Sequence, residues 1–287
     1  MKNYRKLLAG SLALFLAEGI TGCSNTSGGG TGVANEDGLV VLNVASTGQP
    51  VSFDPADANL VVNEYTEYDC YDTLLDFNQD GTDVVPALAE SWEQVDDLTY
   101  TYKIREGVKF SDGSDLTMDD VLYSLNRVRE DAYGMSYLFE HVDSFEVDEA
   151  TRTLTVHLTQ PDSTWKYVPA TTPCQILKKS VVEAEGDAYG TNEGSVVGTG
   201  PYKFVSWAAD SQIVLEKNEY WWGGADNLAI DKINFYVMKD ASTIALAVKS
   251  GTIDFAPGIT NDVLPTYESL SNYNIIHDLR LLRFLSP

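Results

Sequence analysis

The sequence predicts an α/β chain with two regions of different character, a hairpin-rich middle and a βαβ-rich end. Three observations carry that reading. Thr99–Ile104 and Thr153–Leu158 alternate apolar and polar residues strictly, as half-buried strands do. Tyr202–Trp207 and Gln212–Lys217 read as a hairpin across Ala208–Ser211. Ile233–Met238, a helix capped by Asp240, and Ile253–Ala256 read as a strand–helix–strand unit.

The elements follow in order. Leu39–Ala45 is an apolar run fit for a buried strand, and Glu64–Leu75 has the spacing of a helix. In Thr99–Ile104 the inward face is Tyr100, Tyr102 and Ile104. Thr117-Met-Asp-Asp resembles a capping box before the helical apolar run Val121, Leu122, Leu125 and Val128. Leu154, Val156 and Leu158 face inward from the second alternating strand. Lys178–Glu185 reads as a short helix. After the hairpin, the Asp240-capped helix runs through Ser250 and stops at Gly251. Asn261–Leu270 reads as a further helix and Tyr273–His277 as a further strand. No internal repeat is visible.

The first residues speak to location. Lys2, Arg5 and Lys6 form a positive start, and Leu7–Ala17 is an apolar run shorter than the ~20 residues of a membrane span. Ile20-Thr-Gly-Cys23 then resembles a bacterial lipoprotein lipobox, in which cleavage before Cys23 leaves a cysteine to be acylated. The Gly/Ser-rich stretch Ser24–Gly32 has the composition of a flexible tether. The expectation is a leader over residues 1–22, then a lipidated Cys23 with its tether over 23–38. Acyl chains would hold the chain to a membrane. The alternative is an ordinary secretory leader in which Cys23 is incidental.

Composition fits an exported domain. Apolar residues make up 44%, enough for real cores, and the formal charge is −24. So negative a chain disfavours nucleic acid and anionic lipid as partners. The acidic residues are spread rather than blocked, which argues against a disordered acidic tail. After Cys23 only Cys70 and Cys174 remain, far apart and without a CxxC signature. The spacing leaves a disulfide open but suits two small buried apolar groups better.

Several chemical constellations fail. Asp76-x-Asn78-x-Asp80-Gly81 starts like a calcium loop, but the twelfth position is Ala87 where a glutamate is needed, so a hairpin turn is the better reading. His141, His157 and His277 lack metal-ligand spacing. Gly28–Gly32 has no lysine and no following helix to make a phosphate loop. Asp96-Asp97 and Asp119-Asp120 are sequence neighbours, which cannot flank a scissile bond unaided. The expectation is no enzyme, no cofactor and no metal.

One group of motifs is distinctive. Leu88-Ala-Glu-Ser-Trp92 precedes the first alternating strand. Arg105-Glu-Gly-Val-Lys-Phe110, Asp112-Gly113 and Thr117-Met-Asp-Asp-Val121 follow it. Gly198-Thr-Gly-Pro-Tyr202, Val214-Leu-Glu-Lys-Asn-Glu-Tyr-Trp221, Asp231-Lys-Ile-Asn-Phe235, Asp240 and Ala247–Asp254 come in the same order. Together they resemble the extracellular solute-binding proteins of the peptide/nickel class, receptors of oligopeptide and dipeptide ABC importers. Physically most of these residues mark the fold. Gly107 and Gly113 fit turns, Trp92 and Phe110 anchor a hairpin layer, and Gly198-Thr-Gly permits a close chain crossing between lobes. Trp221 suits core packing better than ligand stacking.

The resemblance implies a periplasmic-binding-protein-like, two-lobed fold. On that pattern residues 39–69 plus 198–279 form the first lobe and 70–197 an inserted domain. The second lobe is largely missing, and residues 280–287 form a truncated or aberrant end. It also implies a lipid-anchored receptor at the extracellular or periplasmic side of a bacterial membrane. That receptor would capture peptides or a similar small solute and deliver them to ABC permease subunits, acting as a monomer. A surface sensor or adhesin on the same fold, or a nickel, metal-chelate or heme binder, is the alternative. Candidate ligand contacts are Asn63, Glu64 and Tyr65, between the first strand and its helix, and Tyr137 in Met135-Ser-Tyr-Leu138. Surface or packing roles are the alternative for each.

Overall fold

The computed structural model describes residues 38–55, 69–78, 80–130 and 135–275. They form two compact units. One comprises the described residues of Met1–Gln49, Val205–Lys217 and Asp226–Pro287. The other comprises those of Pro50–Phe204 and Asn218–Ala225. This division differs from the expected one. Residues 50–55, 198–204 and 218–225 pack with the middle of the chain rather than with its ends.

The larger unit is built on a four-stranded antiparallel sheet. Its strands are β4 (Ala89–Asp96), β5 (Thr99–Ile104), β6 (Val142–Asp148) and β7 (Thr153–Leu158), in the order β4-β5-β7-β6. Tyr100 lies opposite Val156 and Tyr102 opposite Leu154, so the two alternating segments place their apolar faces side by side. All six predicted inward side chains are buried. Each such burial contributes about 1.5–3 kcal/mol. The indole of Trp165 closes this core and donates to the Tyr102 hydroxyl at 3.1 Å. A small hairpin, β2 (Leu75–Phe77) and β3 (Val84–Pro86), packs beside it.

Helix α1 (Met118–Glu130) lays Met118, Val121, Leu125 and Val128 into the same core. Its start is a true reciprocal cap. Thr117 Oγ1 accepts from the Asp120 amide at 3.1 Å, and the Asp120 carboxylate accepts from the Thr117 amide at 3.0 Å. Such caps contribute about 1 kcal/mol. Leu122, expected inward, is only half-buried, and Ser124 is buried instead. The Ser124 hydroxyl donates to the Asp120 carbonyl and accepts from the Leu177 amide, so its burial leaves nothing unsatisfied. Helix α2 (Lys179–Glu185) falls within one residue of its predicted range.

The expected helix Glu64–Leu75 lies partly outside the described residues. Asp69 and Cys70 are helical, but the chain leaves the helix at Tyr71 and enters β2 at Leu75. Tyr71, Leu74 and Leu75 are all buried, and a fully buried extended run carries no period that separates it from a helix.

The other four-stranded sheet has β1 (Val41–Ser46), β8 (Tyr202–Ala208), β9 (Gln212–Lys217) and β10 (Lys232–Val237) in the order β1-β10-β9-β8, and all but Tyr202–Phe204 of it belongs to the smaller unit. β1 and β10 run parallel, and β9 is antiparallel to β10. Helix α3 (Ala241–Lys249) packs Ile244, Ala245 and Val248 with Ala45, Ile253, Val263 and Tyr267, the last from the short helix α4 (Leu264–Glu268). Asp240 caps α3 through a 2.7 Å bond from the Thr243 amide. The expected return strand Ile253–Ala256 shrinks to one parallel bridge between Phe255 and Val44. Tyr273–Ile275 is not a strand, and the rest of that expected strand lies outside the described residues.

A ladder of polar side chains crosses this sheet. Gln212 donates to Asn234, Asn234 to Asn43 and Asn43 to Asp254, each at 3.0 Å. The Asn43 amide adds a 2.8 Å bond to the same carboxylate oxygen.

Candidate functional site

Tyr137 sits on a single 3₁₀ turn, Ser136–Phe139, just before β6. Its neighbours hold the turn down. Phe139 is buried and meets Trp165 edge-on at 5.5 Å, while Met135 and Leu138 pack against the core. Tyr137 is left pointing outward, 64% exposed, the largest fraction of any exposed aromatic in the described residues. A phenol held this way offers a stacking face and a hydrogen-bonding tip to a ligand. Asn63, Glu64, Tyr65 and Cys23 lie outside the described residues.

In the smaller unit, the carboxyl ends of β1 and β10 form the kind of edge where open α/β sheets bind ligands. Ser46 Oγ donates to the Gly48 carbonyl at 2.6 Å, and the Asp210 amide donates to Gln49 Oε1 at 2.6 Å. Lys239 pairs with Asp210 at 2.8 Å, beside the Asp240 cap of α3. This edge is polar and carries both signs of charge. Sequence reasoning placed its candidates only on the segment after β1. The Gln49–Asp210 contact joins residues 161 positions apart and the Lys239–Asp210 contact residues 29 apart, and no local pattern marks either.

A second polar cluster lies in the larger unit. Arg127 of α1 binds Asp54 through both terminal nitrogens. Ser52 Oγ accepts from the Asp54 amide at 2.9 Å. The Tyr71 and Tyr189 hydroxyls pair at 2.9 Å, and burial raises both phenols above their ordinary pKa, so both stay protonated. This cluster holds two chain segments together and offers no nucleophile with an adjacent base.

The Gly198-Thr-Gly crossing is real but lies within the larger unit. A Cβ on Gly198 would stand 2.1 Å from the Cys70 carbonyl oxygen, and one on Gly200 would stand 2.5 Å from the Cys70 carbonyl carbon. The crossing therefore packs two segments of one unit. Trp221 is buried, in keeping with packing.

The described residues of 76–81 lie where β2 turns back to β3, and the Gly81 amide donates to the Asn78 carbonyl at 2.9 Å. Asn78 Oδ1 accepts from the Thr82 and Asp83 amides, and Asp83 pairs with Lys166 at 2.6 Å. Among the described residues no group of three His, Cys, Asp or Glu side chains is placed to hold a metal. Cys70 and Cys174 are buried and unbonded to each other, and burial pushes the Cys174 thiol up to about 12.

A family model supplies what local geometry does not. The model of bacterial extracellular solute-binding proteins, family 5 Middle, matches residues 83–283. The chain belongs to this family. The dipeptide-binding protein DppE of Bacillus subtilis is 27% identical over 96% of this chain and 54% of its own length. The oligopeptide-binding protein OppA of the same species is 26% identical over 94% of this chain and 52% of its own. Among solved structures, Helicobacter pylori DppA in complex with the peptide STSA has a TM-score of 0.70 at 27% identity. It covers 81% of this chain and 49% of that one. B. subtilis AppA in complex with a nonapeptide also has a TM-score of 0.70, at 26% identity, over 81% and 46%. The fold is thus that of the periplasmic binding proteins. The chain spans about half the length of the curated relatives it matches. Among the described residues no helix is long and apolar enough to cross a membrane.

Proposed function

We propose that this chain is the capture component of an ABC importer, a binding protein that takes up extracellular peptides or a similar small solute without turning them over. The observation that carries the reading is the family match over residues 83–283, joined to a backbone that superposes on peptide-bound relatives. Receptors of this architecture hold their solute between lobes that close on it. On this reading the chain supplies the first lobe and the inserted domain, and acts as a monomer. Tyr137 contacts the solute, with Asn63, Glu64 and Tyr65. Cys23 carries the lipid that keeps the protein at the outer face of the membrane, near the permease subunits it serves.

A heme-type solute is the second reading, favoured by Heme-binding protein A of Haemophilus influenzae, 30% identical over 71% of this chain and 41% of its own length. Mass spectrometry of whatever copurifies with the undenatured protein separates the two. Intact peptides support the first reading and a porphyrin the second. Recovery of reaction products from added peptide, ester or glycoside panels contradicts both. Anchoring is tested apart, by fractionating cells that carry Cys23→Ser. Release of the protein from membranes is expected, and unchanged membrane association would sink the anchor.

A further inference from the structure

A groove of about 440 Å³ opens on the larger unit, away from Tyr137 in sequence, lined by Glu90, Arg105, Glu106, Val108 and Trp222. Its centre is an arginine held in one pose. Arg105 Nε donates to the Ala87 carbonyl at 2.7 Å, and the guanidinium lies 4.5 Å above the Trp222 ring. The ring is itself fixed, since Trp222 Nε1 donates to Asp72 Oδ2 at 2.8 Å and that oxygen also accepts from Thr199 Oγ1 at 3.1 Å. With Nε used, the two terminal amino groups of Arg105 remain. Among the described residues they have no hydrogen-bond acceptor. A planar guanidinium stacked on an indole, with two parallel donors to spare, matches a carboxylate bidentately.

The remaining lining selects among carboxylates. Glu90 and Glu106 are exposed at the rim, and the whole chain is strongly negative. A bare anion meets repulsion there. A molecule whose carboxylate is accompanied by an ammonium group meets Arg105 and the two glutamates together. We propose that this groove is a binding site for a zwitterionic, amino-acid-like solute, with Arg105 holding its carboxylate and Glu90 and Glu106 its ammonium group. The site shares no lining residue with the turn that carries Tyr137 and does not depend on the importer reading.

The test is a titration of the full chain labelled with ¹⁵N-tryptophan, following the Trp222 indole N–H, assigned by its loss in Trp222→Phe. Three probes are compared: leucine, N-acetyl-leucine, which lacks the ammonium, and leucine methyl ester, which lacks the carboxylate. Leucine is expected to give a saturable shift with a dissociation constant in roughly the millimolar range, and each derivative to bind at least about tenfold more weakly. Arg105→Lys keeps the charge but loses the fork, so the leucine shift should vanish. Glu90→Gln with Glu106→Gln changes only exposed side chains, and should narrow the gap between leucine and N-acetyl-leucine. Absence of a saturable leucine shift overturns the proposal. So does equal binding of N-acetyl-leucine to the unaltered chain, or an unchanged preference in the double glutamine variant.

Discussion

Arg127 closes on Asp54 through two parallel hydrogen bonds, Nη1 to Oδ1 and Nη2 to Oδ2, each 2.6 Å long. Only 15% and 7% of the two side chains is exposed. The pair ties residues 52–55 to α1 across 73 positions of sequence, and it fixes where the chain enters the larger unit.

Breaking that pair from one side takes the matching charge away from a buried group. Arg127→Ala is expected to destabilise the larger unit by about 3–5 kcal/mol. Adding Asp54→Asn to it should recover part of the loss, because the buried negative charge is gone. Urea unfolding followed by tryptophan fluorescence checks both. A cost below about 1 kcal/mol for the single change would mean the pair is solvated like a surface bridge.

The Gly198 crossing makes a sharper contrast. Gly198→Ala puts a methyl group 2.1 Å from a backbone oxygen, so the chain must move or the unit fails to form. Gly107 has a φ of +70° but open space around its missing Cβ. Gly107→Ala should therefore cost only about 1 kcal/mol, from backbone strain alone. Melting temperatures of the two variants are expected to differ widely, with Gly198→Ala far the lower or insoluble. Similar melting temperatures would show that the Cys70 segment yields easily.

Asp254 supplies a pH dependence. Burial raises its carboxyl pKa, against the pull of the bonds from Asn43. A carboxyl raised in the folded state binds its proton more tightly there than when unfolded. Its stabilising contribution is full below the unfolded value and is lost as pH rises through the folded one. Asp254→Asn should remove that slope. Hydrogen exchange at the Phe255 amide, which bonds the Asn43 carbonyl at 3.1 Å, reports it locally. An unchanged slope in the variant would place the titration elsewhere.

The cysteines give a simple reading of burial. In a chain carrying Cys23→Ser, neither Cys70 nor Cys174 should react with a thiol reagent at pH 8 until urea is added, when both should. The Cys174 thiol, pushed up to about 12, supplies almost no thiolate under native conditions. Rapid labelling of the folded chain would contradict the buried placement.

The parts of the fold legible in the sequence are those where one local rule acts alone. Strict alternation located β5 and β7 to the residue, and a capping threonine and aspartate located the starts of α1 and α3. β4 and β6 were not legible. β4 exposes most of its side chains, and both strands carry a break in register against their neighbours, so neither shows a clean period. The Leu74–Leu75 segment misled because full burial erases the period. At the candidate site, Tyr137 was marked only by the family resemblance. The Arg105–Trp222 stack joins residues 117 positions apart and has no local signature.

The proposed function is reversible capture of a small solute without chemistry. Native mass spectrometry of the full chain with a defined set of short peptides tests it most directly, with the bound fraction then released and weighed. One peptide per chain is expected, recovered intact, with binding weakened at least about tenfold by Tyr137→Ala at an unchanged melting temperature. Peptides recovered cleaved would contradict it, as would a chain that retains none of them and yields no other small solute on release.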